Sequence, residues 1–119
     1  MPVGEPELEP RVVAYRQIDG GLELDLRIDA DLPALAGHFP GLPIVPGVCL
    51  LDWVIRLSAR HLALLPDGAR QFQIKFRRVL QPGEAVTLSL RRLSGGRVQF
   101  DYKRNDTIYA SGTVAPEGA

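Results

Sequence analysis

A single cysteine, Cys49, stands in the whole 119-residue chain. That excludes an intrachain disulfide and any metal site built from clustered thiolates. The scarcity of thiols fits a reducing compartment, so a cytoplasmic protein is expected, held together by packing alone. Net charge is missing too, because 14 basic residues balance 14 acidic ones. No overall field draws the chain to nucleic acid. Nor is there a membrane span, since the longest apolar segment, near Val48 to Leu65, is broken by Asp52, Arg56, Arg60 and His61. The first ten residues hold three glutamates and three prolines in place of a basic region and an apolar run. They read as a flexible leader and not as a signal peptide. Internal repeats and linkers are absent as well, so one domain is expected over residues 11–116.

What is present is mostly strand. From Arg11 to Ile18 the β-branched and aromatic content suggests a first strand, and Asp19-Gly20-Gly21 signals a hairpin. After it Leu22, Leu24, Leu26 and Ile28 alternate with Glu23, Asp25, Arg27 and Asp29, which places one face in a core and one in water. Beyond residue 70 the same period returns at Phe72-Ile74-Phe76, Val86-Leu88-Leu90 and Val98-Phe100-Tyr102, with a last strand from about Ile108 to Val114. Turns at Gln81-Pro82-Gly83, Ser94-Gly95-Gly96 and Asn105-Asp106 separate them. Between the two groups one helix is expected from Pro46-Gly47 to about Leu65, stopped by Pro66-Asp67-Gly68. It is apolar nearly all round, which predicts enclosure on more than one side. The sum is an α+β fold, an antiparallel sheet of about six strands curled round one long central helix. One sheet face covers only one side of such a helix, so a homodimer with edge-to-edge sheet pairing is expected to cover the other.

The stretch Gly37-His38-Phe39-Pro40-Gly41-Leu42-Pro43-Ile44-Val45-Pro46-Gly47-Val48, followed by Asp52, concentrates the chemistry. Its prolines stiffen the approach and deny helix before Pro46. This run resembles the signature of the hot-dog-fold 3-hydroxyacyl-(acyl carrier protein) dehydratases, and Phe76-Arg77-Arg78-Val79-Leu80-Gln81-Pro82-Gly83 is similar to the segment that family carries after its helix. The likeness extends over nearly the whole chain from about residue 11. Leu51-Asp52-Trp53 looks most like the short dehydratases of aryl-polyene pigment clusters.

The resemblance implies a hot-dog fold and the dehydration of 3-hydroxyacyl thioesters to trans-2-enoyl thioesters, on acyl carrier protein and without metal or cofactor. It also implies a dimer in which the His38 of one chain faces the Asp52 of the other, with Gly47 as the amide donor to the thioester oxygen. The chemistry suits these residue types. An imidazole titrating at roughly 6.5 is a competent base for the α-proton. A carboxyl group at Asp52 could orient or protonate the departing hydroxyl, and it would keep a proton if the helix enclosed it. The first amides of the helix, at Gly47 and Val48, point their N–H groups at the place where an oxyanion forms. Phe39, Pro46, Val48 and Trp53 are expected to line the substrate pocket. Lys75, Arg77 and Arg78 are expected to form a landing patch for an acidic carrier protein.

Plainer readings accompany each of these. A His between Gly and Phe often makes a structural hydrogen bond, Pro46-Gly47 is an ordinary helix start, and the basic cluster is also what a solvated sheet face looks like. His61 reads as a helix-end or surface residue, and Cys49 as a small apolar one. Asp52, Arg56 and Arg60 stand at i, i+4 and i+8, the spacing of a solvated stripe with a helix ion pair. In the family Glu is the usual residue where Asp52 stands, and Arg56 falls in a stretch that often carries Gln. Two other functions share the fold, a hot-dog thioesterase and a non-catalytic acyl-carrier-binding subunit.

Overall fold

A computed structural model describes residues 9–29, 44–65 and 71–116. The elements run β1 (Arg11–Ile18), β2 (Gly21–Arg27), α1 (Gly47–Leu62), β3 (Gln71–Phe76), β4 (Ala85–Arg92), β5 (Val98–Arg104) and β6 (Thr107–Ala115), with a 3₁₀ turn at Ser94–Gly96. All six strands form one sheet in the order β1-β2-β4-β5-β6-β3, antiparallel at every pairing. The strands read from the sequence are therefore all present, and one face of their sheet packs against α1.

The period of two sets which residues reach that helix. Leu22, Leu24 and Leu26 of β2 lie opposite Leu90, Leu88 and Val86 of β4. Leu90 and Leu88 in turn lie opposite Phe100 and Tyr102 of β5. All of these are buried, and α1 adds Cys49, Leu50, Trp53, Val54, Leu57 and Leu62 to the same core. Trp53 is 0 % exposed. The sequence placed it at the wall of a substrate pocket; the structure puts it in the core, because its position on α1 faces the sheet. Tyr102 is buried beneath the helix and donates its hydroxyl to the Leu50 carbonyl at 2.5 Å. A buried phenol needs such an acceptor, and burial pushes its pKa well up.

The helix starts where the proline fixes it. Pro46 sits at φ −62°, ψ 145° as the N-cap, and its carbonyl takes the first N–H bonds from Cys49 and Leu50. Val45 N–H donates to Leu80 O at 2.7 Å, which ties the entry to the helix onto the segment after β3. At the other end α1 stops at Leu62, three residues sooner than expected. Ala63 turns into the left-handed region at φ 55° and returns its N–H to Ser58 O, closing the helix before the predicted stop at residues 66–68, which lie outside the described residues.

Of the expected leader, only Glu9 and Pro10 are described. Residues 1–8 lie outside the described residues, but Glu9 is 3 % exposed and its carboxylate takes both terminal nitrogens of Arg60. A buried carboxylate is held only when paired in this way. Arg60 is thus drawn off the Asp52 stripe. His61 beside it stands in the last turn of α1, a helix-end residue as read, with its Nε2 buried, its pKa lowered by burial and Tyr15 6.3 Å away ring to ring. Among the described residues no helix is long and apolar enough to cross a membrane.

Candidate active site

The helix start and the edge strand β3 meet at one place. Gly47 and Val48 precede the first intrahelical bonds, so their N–H groups have no acceptor within α1. No acidic residue stands in the first turn to neutralise the positive end of the helix dipole. Against this end lies a groove of about 400 Å³ lined by Gly47, Val48, Leu51, Phe72, Ile74 and Phe76. Its lining is apolar except for the backbone at the helix start, a combination that suits an acyl chain with a polarisable carbonyl at one end.

Gly47 is where the two elements are closest. A β-carbon there would fall 2.4 Å from the Phe76 ring, well inside contact distance. The absence of a side chain at Gly47 therefore makes room for the ring of Phe76. Sequence reasoning missed Leu51, Phe72, Ile74 and Phe76 as groove residues. The strand alternation named the last three, but as core; Phe72 and Phe76 are in fact 57 % and 55 % exposed, because β3 is the sheet edge and overhangs the helix start. Of the residues expected to line a substrate pocket, Val48 is 70 % exposed and lines this groove, whereas Pro46 is buried.

Asp52 stands four residues after Val48, on the open side of the helix. Its Oδ2 accepts a hydrogen bond from Arg56 Nε at 2.7 Å. The ion pair suggested by the i, i+4 spacing is thus formed within one chain. The carboxylate is 49 % exposed, where the sequence had suggested enclosure, since the sheet covers only the other side of α1. Cys49 is buried among the core residues, and that burial raises its thiol pKa, which favours the protonated form.

His38 and Phe39 lie outside the described residues. Lys75, Arg77 and Arg78 are all exposed. The backbone N–H groups of Arg77 and Arg78 both donate to Tyr109 O, at 2.8 and 3.2 Å, fixing the chain that leaves β3 beside the groove. Among the described residues no cluster of His, Cys, Asp or Glu is placed to hold a metal ion.

Known proteins share both the sequence and this architecture. The family described as ApeI-like, ApeI dehydratase, matches residues 15–113. A 3-hydroxyacyl-(acyl-carrier-protein) dehydratase FabZ of Chlamydia trachomatis serovar L2 is 35 % identical over 121 residues, covering 91 % of this chain and 79 % of that protein. The protein of the same name from Rickettsia felis is 26 % identical, covering 94 % and 83 %. Among solved structures, the dehydratase heterocomplex ApeI:P from Xenorhabdus doucetiae aligns with a TM-score of 0.72 at 25 % identity, over 89 % of this chain and 96 % of the other. A probable thioesterase from Bartonella henselae, 19 % identical over 80 % of this chain and 86 % of its own, shares the fold alone, with a TM-score of 0.58. The six-stranded sheet round one helix is the hot-dog fold of these structures.

Proposed function

The chain belongs to the ApeI-like dehydratase family, and from that premise we propose that it eliminates water from 3-hydroxyacyl thioesters to give trans-2-enoyl thioesters, as a hydro-lyase acting on acyl-carrier-protein substrates. The observation that carries this reading is the convergence of helix-start amides, an apolar groove and a carboxylate on one side of α1. The thioester carbonyl would accept the Gly47 N–H, so that charge building on its oxygen meets a donor and the helix dipole together. The acyl tail would run along Leu51, Phe72 and Ile74.

His38 is the base of this proposal. It takes the proton from C2 as the C2–C3 double bond forms and, as imidazolium, passes that proton to the C3 hydroxyl oriented by the Asp52 carboxylate, so that the C3–O bond breaks with loss of water and His38 returns to its neutral form. His38 and the Asp52 of the neighbouring protomer would form one site, so the active unit is a homodimer. The exposed apolar edge supports that reading: Phe72, Phe76 and Val48 together leave more apolar surface open than scattered single residues do. Pairing of two β3 edges would cover it and also satisfy the outer edge that β3 leaves without a neighbouring strand among the described residues. The exposed Lys75, Arg77 and Arg78 beside the groove would receive the acidic carrier protein.

The test is direct. Purified protein with a 3-hydroxyacyl carrier substrate should develop the enoyl absorbance band without releasing free thiol, whereas thiol release with no band would mark a thioesterase. The His38→Ala variant should lose at least about 10²-fold in kcat while remaining a folded dimer; unchanged turnover would remove His38 from the mechanism.

A further inference from the structure

We propose that Arg56 is a positioning residue for this elimination. It holds Asp52 by one carboxylate oxygen so that the other is presented to the hydroxyl that leaves. The inference rests on the assignment of Asp52 given above and adds a second residue to it.

Three observations support it. The contact is made by the side-on nitrogen, Nε to Oδ2 at 2.7 Å, and among the described residues neither Asp52 Oδ1 nor the terminal guanidinium nitrogens make another hydrogen bond. One carboxylate oxygen is thus fixed and one remains available. The pair is also unequal in burial, because the Arg56 side chain is 24 % exposed and that of Asp52 49 %. An ion pair that only decorates a helix has both ends in water; here the cation is the anchored end and the carboxylate the presented one. Arg60, the other cation on this stripe, is committed to Glu9. Arg56 is therefore the guanidinium that sets where Asp52 points.

The stability such a half-exposed pair contributes is small, so replacing Arg56 should leave the fold intact. Its weight falls on geometry, where a displacement of about 1 Å costs on the order of 10²-fold in rate. A carboxylate released from Arg56 would sample several rotamers on the open side of α1 instead of one.

The experiment uses the full chain and a 3-hydroxyacyl thioester of carrier protein, with kcat and KM measured for Arg56→Met, Arg56→Lys and Asp52→Asn. Circular dichroism and size-exclusion chromatography confirm that each variant folds and assembles as the parent does. The expected result for Arg56→Met is a fall of about 10²-fold in kcat with KM unchanged, partly restored by Arg56→Lys. Added ethylguanidinium should raise the rate of Arg56→Met but not that of Asp52→Asn. Wild-type kcat in Arg56→Met with an inactive Asp52→Asn overturns the proposal alone, as does a loss confined to KM. Full activity in Asp52→Asn overturns the assignment of Asp52 and this inference with it.

Discussion

Gly47 is held by two neighbours with different demands. In the proposed mechanism its amide stays open at the helix start, and its α-carbon lies against the Phe76 ring, where a β-carbon would come within 2.4 Å. An alanine is ordinarily the better helix former, yet here Gly47→Ala should lower thermal stability by about 1–3 kcal/mol through overpacking. Adding Phe76→Ala should recover part of that loss, a coupling that a double-mutant cycle on unfolding would read; strict additivity would show that the ring does not press on this glycine. Trp53 illustrates the opposite case. Beside Asp52 in the sequence it suggests a pocket wall, but 3.6 residues per turn carry it to the buried side, so Trp53→Ala should cost about 3–5 kcal/mol of stability. Asp52 and Arg56 were recognisable as a pair from spacing alone. Which of the two is anchored was not, because that depends on what each side chain lies against.

At the scale of elements, β3 departs furthest from the sequence pattern. Alternation identifies it as a strand with Phe72, Ile74 and Phe76 on one face, and that face does point toward α1. Its exposure follows from its place at the end of the strand order, which no local pattern encodes. If two β3 edges pair in the dimer, Phe72→Glu should yield a monomer by size-exclusion chromatography and light scattering, with dehydration lost in parallel. A dimer that survives the charge would exclude this edge as the interface. The end of α1 is a similar case: Pro66-Asp67-Gly68 is the stronger stop signal in sequence, but the left-handed turn at Ala63 ends the helix first.

Across the whole molecule, the outer face of the sheet carries an ionic network that responds to pH in two directions. A hydrogen bond from Arg16, aided by Thr87, brings Asp25 down to about 2 from its ordinary 3.8, and Lys103 lowers Glu23. A depressed carboxyl pKa stabilises the fold above the unfolded value and loses that contribution as pH falls through the folded one. Asp25→Asn should therefore reduce stability at neutral pH and flatten the acid unfolding profile between about pH 4 and 2. Asp101 has the reverse sign: burial raises its pKa, and one of its oxygens is buried without a partner among the described residues. Asp101→Asn should raise the melting temperature at pH 7, with the gain vanishing at acid pH where the native carboxyl is protonated.

The sequence by itself determined the elements and the family. A period of two fixes which strand residues share a face, Pro46 fixes where the helix begins, and the run from Gly37 to Asp52 carries the family resemblance, because all of these depend on near neighbours in the chain. Only the tertiary structure decided that β3 closes the sheet as an edge, that its phenylalanines wall a groove instead of filling the core, and that Glu9 takes Arg60 away from the stripe it shares with Asp52. Those outcomes join residues as far as 51 positions apart. They are set by which surfaces are covered once the sheet has closed round the helix, a property of the packed whole that no local stretch of sequence contains.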